Sequence, residues 1–519
     1  MGAERNLNGK RGGKVELIYD LEKRGKRPIY EYLYLCIRKD VLSGTLKPGE
    51  KLPSKRELAR SHDVALITVE NAYAQLIIEG YVTAREKSGY YVNPGMAEVQ
   101  TRPAGAQQEE ILRDGARYGE TTHDGTSRGD ATQEGMGREA ATASLGAGAA
   151  KSSGTHAGRQ LVDFTSGELK KDAFPFSVWA RLMRRVMNDR EEAFLTKPEN
   201  RGVPELREAI RTYLKKAKGL YVLPEQIIVG PGTEYLHHIL LQLLGRSRIV
   251  AVEDPGYKKV GQIYEGNGLK CLHVPVDHGG MIVERLKGSN ATLVHISPSH
   301  HFPTGCVMPI ARRRELLSWA RESGAYVIED DYDSEFRFDG RPIPTLVSLD
   351  GDRVIYMNTF TKTLAPSIRI AYAVLPVELM ERYEKKLSYY SGAVSSFEQY
   401  TLAAFIGEGY YERHVARMRN YYRQQRSKIL TALAQSPLAK RASVEEHAAG
   451  LHFILRINGI KDEEKWLARL EGQGIRLLPV SAFCYERKEN YRHRFVIYYS
   501  DIDPENLKEA FEIMAKEKH

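Results

Sequence analysis

Residues 96–160 constrain this 519-residue chain more than any other stretch, because nothing in them can build a core. The 65 residues are dominated by Gly, Ala, Thr, Ser and Gln with scattered charges. Eleven glycines are spread through them, and the few apolar residues, Ile111, Leu112 and Leu145 among them, follow no period. Such a segment buries too little apolar surface to offset the entropy lost on ordering. It reads as a flexible linker whose coil would span about 45 Å, enough for one domain to reach across a neighbouring subunit. The chain is too long for one core, and the linker divides it into a small domain at 14–95 and a large one at 161–519.

The remaining bulk features narrow the class. Hydrophobic and charged fractions of 42% and 28% are those of a soluble globular protein. No apolar run approaches the roughly 20 residues of a membrane span. Met1 to Lys14 is polar and basic and does not read as a secretory signal. Cys36, Cys271, Cys306 and Cys484 match no ligand spacing, so they read as reduced thiols and no metal site is expected. A cytoplasmic protein is expected, without a membrane partner.

In the small domain, Ile29, Leu33, Cys36, Ile37 and Val41 recur at helical spacing after Pro28, and Gly44 ends the pattern. Ser54 with Glu57 three residues on is a capping box for a helix at Lys55–Ser61. Val69, Ala72, Tyr73, Leu76 and Ile77 stripe a further helix over Leu66–Glu79. Tyr81–Ala84 and Gly89–Val92 then read as a hairpin. Three helices followed by a hairpin is the pattern of a winged helix-turn-helix. Residues 1–95 carry 17 Lys plus Arg against 12 Asp plus Glu, a surplus suited to DNA phosphates. Leu66 and Thr68, at the start of the second helix of the turn, are the candidates for base edges. Lys55, Arg56 and the wing residues Arg85, Lys87 and Gly89 are candidates for phosphate and groove.

These blocks, Leu52-Pro53-Ser54-Lys55-Arg56-Glu57-Leu58-Ala59, Ala72-Tyr73-Ala74-Gln75-Leu76 and Ser88-Gly89-Tyr90-Tyr91-Val92, resemble the GntR family of bacterial regulators. Ala65-Leu66 stands where members often carry Ser-Arg. An arginine-to-guanine contact worth about 1–3 kcal/mol is therefore missing there, and Leu66 could instead touch a thymine methyl.

Residues 161–519 alternate apolar runs (Gln226–Val229, Arg248–Val252, Ala291–Ile296, Ala325–Glu329, Val354–Met357) with amphipathic helices. The expected class is α/β, a mostly parallel sheet covered on both faces, with ligands at the strand ends. A large subdomain is expected at about 200–380 and a small one at about 381–519. Polar residues cluster where the runs end. Lys362 sits among hydroxyls, Thr359 and Thr361, after the Val354 run. Asp330 ends another, with Tyr332 two residues on. Gly230-Pro231-Gly232-Thr233 opens a helix whose N-terminus suits an anion, and Arg369 can add a charge. A lysine for a Schiff base, an acid beside a pyridine nitrogen, a phosphate cradle and an aromatic are what pyridoxal phosphate requires.

With Asp254-Pro255-Gly256-Tyr257, Ser297 to Gly305, Glu329 to Phe336 and Thr359 to Arg369 in that order, the large domain resembles fold-type-I aminotransferases. More closely it resembles the MocR/GabR subfamily of GntR regulators. The resemblance implies that Lys362 carries the cofactor, that Tyr257 lies at its ring or at the effector, and that His300 or His301 lies near the phenolic oxygen, His301 being preferred. It also implies a head-to-tail homodimer with crossed DNA domains, bound to a double-stranded operator. Two departures bear on activity. Lys197 stands where aminotransferases commonly place a tyrosine for the partner's phosphate. The effector carboxylate is left to Lys259 and Arg494, the latter one pleat early. The function expected is a pyridoxal-phosphate-dependent regulator in which an amine or amino-acid effector, or the cofactor itself, reacts at Lys362 and alters DNA binding. The alternative is a working aminotransferase carrying a DNA-binding domain.

Overall fold

The computed structural model describes residues 10–11, 14–15, 17–25, 28–78, 81–85, 88–93, 161–165, 173–338, 344–445, 450–486, 488–499 and 502–517. The expected linker, 96–160, and Lys87 lie outside the described residues.

The small domain forms where its pattern requires. Helix α1 (Ile29–Leu42) and helix α3 (Leu66–Ile78) bury their stripes, and Leu33, Ile37, Val69, Ala72, Tyr73 and Leu76 are all inaccessible. Helix α2 (Lys55–Ser61) begins at the capping box: the Glu57 amide donates to Ser54 Oγ at 3.2 Å, and the Ser54 amide donates to the Glu57 carboxylate at 2.8 Å. Strands β1 (Val82–Arg85) and β2 (Gly89–Val92) pair antiparallel, with Val82 opposite Val92 and Arg85 opposite Gly89. A winged helix-turn-helix results.

In the large domain, helix α4 (Pro204–Lys218) precedes an alternation of strands and helices. These are β3 (Ile227–Gly230), α5 (Thr233–Leu244), β4 (Ile249–Asp254), α6 (Lys258–Gly266), β5 (Lys270–Asp277) and β6 (Gly280–Met281). There follow β7 (Ala291–Ile296), α7 (Ile310–Ser323), β8 (Tyr326–Asp330), β9 (Val354–Thr359) and β10 (Ala371–Val374). One sheet takes them in the order β3-β10-β9-β8-β7-β4-β5-β6. The strands from β9 to β5 pair parallel; β10 runs against both its neighbours, and short β6 turns back on β5. Every residue of β9 is buried, as expected for a strand covered on both faces. The class is α/β with a mixed, mostly parallel sheet.

Beyond it, helix α8 (Tyr410–Gln435) leads to a four-stranded antiparallel sheet. Its order is β11 (Ala442–Glu445), β12 (His452–Ile457), β14 (Arg494–Tyr498), β13 (Leu478–Pro479). At 26 residues, α8 is about 39 Å long. Tyr411 and Val415 join the core against the large sheet, while Met418, Tyr422, Ile429 and Leu433 join the core of the second sheet. The winged helix also shares apolar packing with the large domain. Ile310, the first residue of α7, belongs to its core, and Leu349 packs against both that core and the one beneath the large sheet. Among the described residues no helix is long and apolar enough to cross a membrane, and the four cysteines are free.

Candidate functional site

Parallel pairing of β8 with β9 sets Asp330 opposite Met357, so the acid and the turn that follows β9 emerge at the same end of the sheet. Lys362 lies on that turn, in a single helical turn (Phe360–Thr363) capped by Thr359, whose Oγ1 accepts from the Thr361 amide at 3.1 Å. The two hydroxyls fasten the returning chain: Thr361 donates to the Ile368 carbonyl at 3.0 Å and Thr359 to that of Ile370 at 3.4 Å. Lys362 itself remains open to solvent. The protein mass around it lowers its pKa, which Asp333 partly offsets, so a neutral amine is more accessible than on a free lysine.

Asp330 is backed by His295, whose Nε2 lies 3.6 Å from the carboxylate. Nδ1 of His295 lies 2.8 Å from the Tyr264 hydroxyl and 3.4 Å from His237 Nε2. The other carboxylate oxygen, Oδ1, is buried without a hydrogen-bond partner among the described residues. Tyr332 reaches His300 Nδ1 at 3.3 Å, and the same nitrogen lies 2.8 Å from Asp333. A Cβ at Gly450 would overlap the His300 ring, so only glycine fits there. His300, and not His301, is thus the histidine beside Tyr332. His301 turns the other way because its Nδ1 meets Thr304 Oγ1 at 2.7 Å and its Nε2 faces Glu253 at 3.5 Å. Burial lowers its pKa to about 3 and raises that of Glu253 to about 8.

At the start of α5, Gly232 has φ of 113°, and a Cβ there would come within 2.6 Å of the Arg369 guanidinium. Arg369 donates to Glu234 at 2.9 Å, and Lys259 pairs with the same carboxylate. The two cations hold the Glu234 pKa at about 2 against the effect of burial. Thr233 is the first residue of the helix. Tyr257 is exposed, edge-on to Phe302 at 5.8 Å, and the protein packed around it raises its pKa, an effect that Lys259 and Arg369 oppose and Glu234 and Asp330 reinforce. These groups can hold a phosphorylated pyridine aldehyde: cations and helix amides for the phosphate, an unsatisfied acid for the ring nitrogen, and a lysine of lowered pKa for the aldehyde.

Arg494 pairs with Glu445 at 3.4 Å and lies over the Tyr491 ring. The β14 residue whose charge environment includes Asp333 and Tyr257 is Tyr498, four residues along and about 13 Å away. Lys197 is exposed. The sequence reading also missed a buried cation. Lys218, at the end of α4, pairs with Asp331 and lies 3.2 Å from Glu335. Burial opposes its charge, but the two carboxylates outweigh burial and raise its pKa. Its place in Lys215-Lys216-Lys218 looks like a solvated helix end; only the unmatched acids at 331 and 335 hint at a partner.

On the winged helix, Leu66 and Ile67 stand exposed at the start of α3, with Thr68 half-buried behind them. Arg56 is exposed on α2. Lys55 is shared with Glu70 at 3.4 Å and lies over the Tyr90 ring. Arg85 stacks on Tyr91 at 4.5 Å, and Gly89 has φ of 111°, with Lys51 close above it.

Comparison with known proteins agrees with this division. Residues 159–514 match the family described as aminotransferase class I and II, and residues 29–92 match the bacterial regulatory proteins of the gntR family. The chain is 33% identical to the uncharacterized HTH-type transcriptional regulator YdeL of Bacillus subtilis, over 88% of this chain and 89% of that one. It is 32% identical to the probable rhizopine catabolism regulatory protein MocR of Rhizobium meliloti, over 94% of each. It is 28% identical to the pyridoxine biosynthesis regulator PdxR of Corynebacterium glutamicum, over 86% and 87%. An archaeal alanine:glyoxylate aminotransferase superposes with a TM-score of 0.61 at 24% identity, covering 69% of this chain and 90% of that structure, which speaks to the fold of the large domain. The chain therefore belongs to the GntR family of transcription regulators, in its MocR-type branch with an aminotransferase-like domain.

Proposed function

We propose that pyridoxal phosphate held at Lys362 makes this regulator a sensor: an amine or amino acid, or the cofactor itself, reacts there and changes how the winged helices hold a double-stranded operator. The observation that carries the reading is the emergence of Asp330 and the Lys362 turn at one end of paired strands β8 and β9. Lys362 would bond the aldehyde carbon. Asp330 would keep the pyridine nitrogen protonated, with Tyr332 donating to the phenolic oxygen. Gly232, Thr233 and Arg369 would hold the phosphate, and Tyr257 would flank the ring. When bound, the cofactor supplies an electron-withdrawing ring conjugated to whichever amine it carries. Thr359 and Thr361 fix the turn on which Lys362 stands. Lys259 and Arg494 can each take an effector carboxylate by exchanging their present partners, Glu234 and Glu445, for it. Sensing rather than turnover is favoured because the chain carries an intact winged helix and has Lys197 where aminotransferases commonly place a tyrosine.

On DNA, Leu66 and Thr68 would meet base edges, while Arg56, Lys55, Lys87 and the turn at Gly89 would meet phosphate and groove. The working unit is a cytoplasmic head-to-tail homodimer, testable by light scattering; cross-linking between differently tagged copies decides whether each winged helix crosses to the other copy or stays on its own large domain.

The decisive experiment adds pyridoxal phosphate to the purified chain, records the visible spectrum while amines are titrated, and repeats DNA binding with any amine that shifts it. A new visible band, lost in Lys362→Ala, is expected. A protein that takes up no cofactor overturns the reading. Sustained conversion of an amino donor and a keto acid would instead establish an aminotransferase. Arg56→Ala should weaken DNA binding about equally across sequences and reduce its salt slope by about 1; unchanged affinity removes Arg56 from the interface.

A further inference from the structure

Among the described residues, the winged helix packs on the large domain at Ile310 and Leu349, and these are tied to the strand of Asp330 by buried polar contacts. Helix α7 contributes from two sides of its first turn. Ile310 is packed into the core of the winged helix, and the Arg314 guanidinium, one turn on, is depressed in pKa by burial, with Tyr81 and Arg38 of the small domain acting on it as well. Between them Arg313 points inward and is completely inaccessible. Its guanidinium donates to the carbonyls of Met308 at 2.9 Å, Pro344 at 2.9 Å and Pro298 at 2.7 Å, and lies 3.6 Å from the Glu329 carboxylate.

Glu329 is the residue before Asp330 on β8 and is itself fully buried. It accepts from the amides of Leu346 at 2.9 Å and Val347 at 3.2 Å. Those amides begin the turn that ends in Leu349, the side chain shared between the winged-helix core and the core under the sheet. The Pro298 carbonyl belongs to the segment that bears His300, and the Met308 amide returns to that same carbonyl at 2.9 Å. One buried ion pair therefore touches the strand of Asp330, the segment of His300 and both footholds of the winged helix.

We infer that the Ile310–Leu349 surface is the docking site of the winged helix, and that the Arg313–Glu329 pair couples it to the cofactor pocket. The coupling rests on the function proposed above; the docking does not. A close-packed contact of this kind transmits a shift because its members have no room to absorb one. A buried pair hydrogen-bonded on every side resists independent movement of either partner. Displacement of β8 or of the His300 segment must then move the α7 turn or the 346–349 turn, and with it the surface under the winged helix.

Linkage makes this testable in reverse: if cofactor chemistry biases DNA binding through the contact, bound DNA must change cofactor affinity by the same factor. The probe is a duplex selected from a random-sequence pool by the full-length protein. The apparent Kd for pyridoxal phosphate is read from the visible spectrum with and without that duplex, in wild type, Ile310→Glu, the milder Ile310→Ala, and Glu329→Gln. A shift of about fivefold or more is expected in wild type, falling below about twofold in Ile310→Glu and Glu329→Gln while each ligand still binds alone. A full shift in a folded Ile310→Glu protein, or no shift in wild type that binds both ligands, overturns the coupling. Hydrogen exchange reads the docking separately: amides of β1 and of the first turn of α7 should lose protection in Ile310→Glu and, to a lesser degree, in Ile310→Ala. Unchanged protection in both variants overturns the docking. A protein that takes up no pyridoxal phosphate defeats the sensor and the coupling together, and leaves the exchange result to decide the docking.

Discussion

Glu253 and His301 face each other at 3.5 Å with pKa values displaced in opposite directions by the same burial, to about 8 and about 3. Their effects on stability have opposite signs. A carboxyl raised from about 4.5 binds more protons folded than unfolded, so it costs stability as pH rises from about 4.5 through 8. A histidine lowered from about 6.5 binds fewer protons folded, so it costs stability as pH falls from about 6.5 toward 3. Glu253→Gln should therefore flatten the loss of melting temperature between pH 5 and 8 and leave the acid-side loss in place, as thermal melts across that range would record. An unchanged alkaline limb would mean that Glu253 ionises freely. Lys218 makes a second residue-scale test. Removing the cation leaves the buried Asp331 and Glu335 carboxylates without it. Lys218→Met should lower stability by about 3–5 kcal/mol in urea titrations, with Lys218→Arg losing less only if the cavity admits the larger group.

The elements differ in how plainly their sequences announce them. Ser54 and Glu57 form the expected capping box, and helix α2 begins there. Ser54→Ala should cost about 1 kcal/mol of winged-helix stability, visible as earlier helix loss in circular dichroism of the full chain. The apolar runs became β3, β4, β7, β8 and β9, because strands buried on both faces leave a continuous apolar signature. Strand β10 leaves none of its direction: Ala371-Tyr372-Ala373-Val374 is equally apolar whichever way it runs, and it is antiparallel. The site was legible where a residue ends a strand, as at Asp330, or follows a glycine turn, as at Thr233. It was not legible where facing depends on a loop. Neighbours His300 and His301 are alike in sequence, and contacts with distant residues, Asp333 and Gly450 for one and Glu253 for the other, set which of them meets Tyr332. The burial of Lys218 likewise depends on acids 113 and 117 positions downstream.

At the scale of the whole molecule, cofactor binding should register as stability. A ligand present at about 100 times its Kd stabilises the state that binds it by about 2.7 kcal/mol. Pyridoxal phosphate should thus raise the melting temperature of the large domain, and the increment should shrink in Lys362→Ala. If Ile310 and Leu349 join the domains as the packing indicates, calorimetry of the loaded protein should also show the winged helix melting later than in the bare protein. Two separate transitions, only one of them moved by the cofactor, would argue that the domains unfold independently. Helix α8 sets a further condition on any motion. Val415 is locked into one core and Met418 into the other, less than a turn apart, so the shaft has no free length there in which to bend. A ligand that draws the β12–β14 sheet toward Lys362 must tilt α8 as a lever, and a tilt on the order of 5° over its 39 Å would carry the far end about 3 Å. Small rearrangements near residue 362 would thus arrive enlarged at the Gln435 end of the helix.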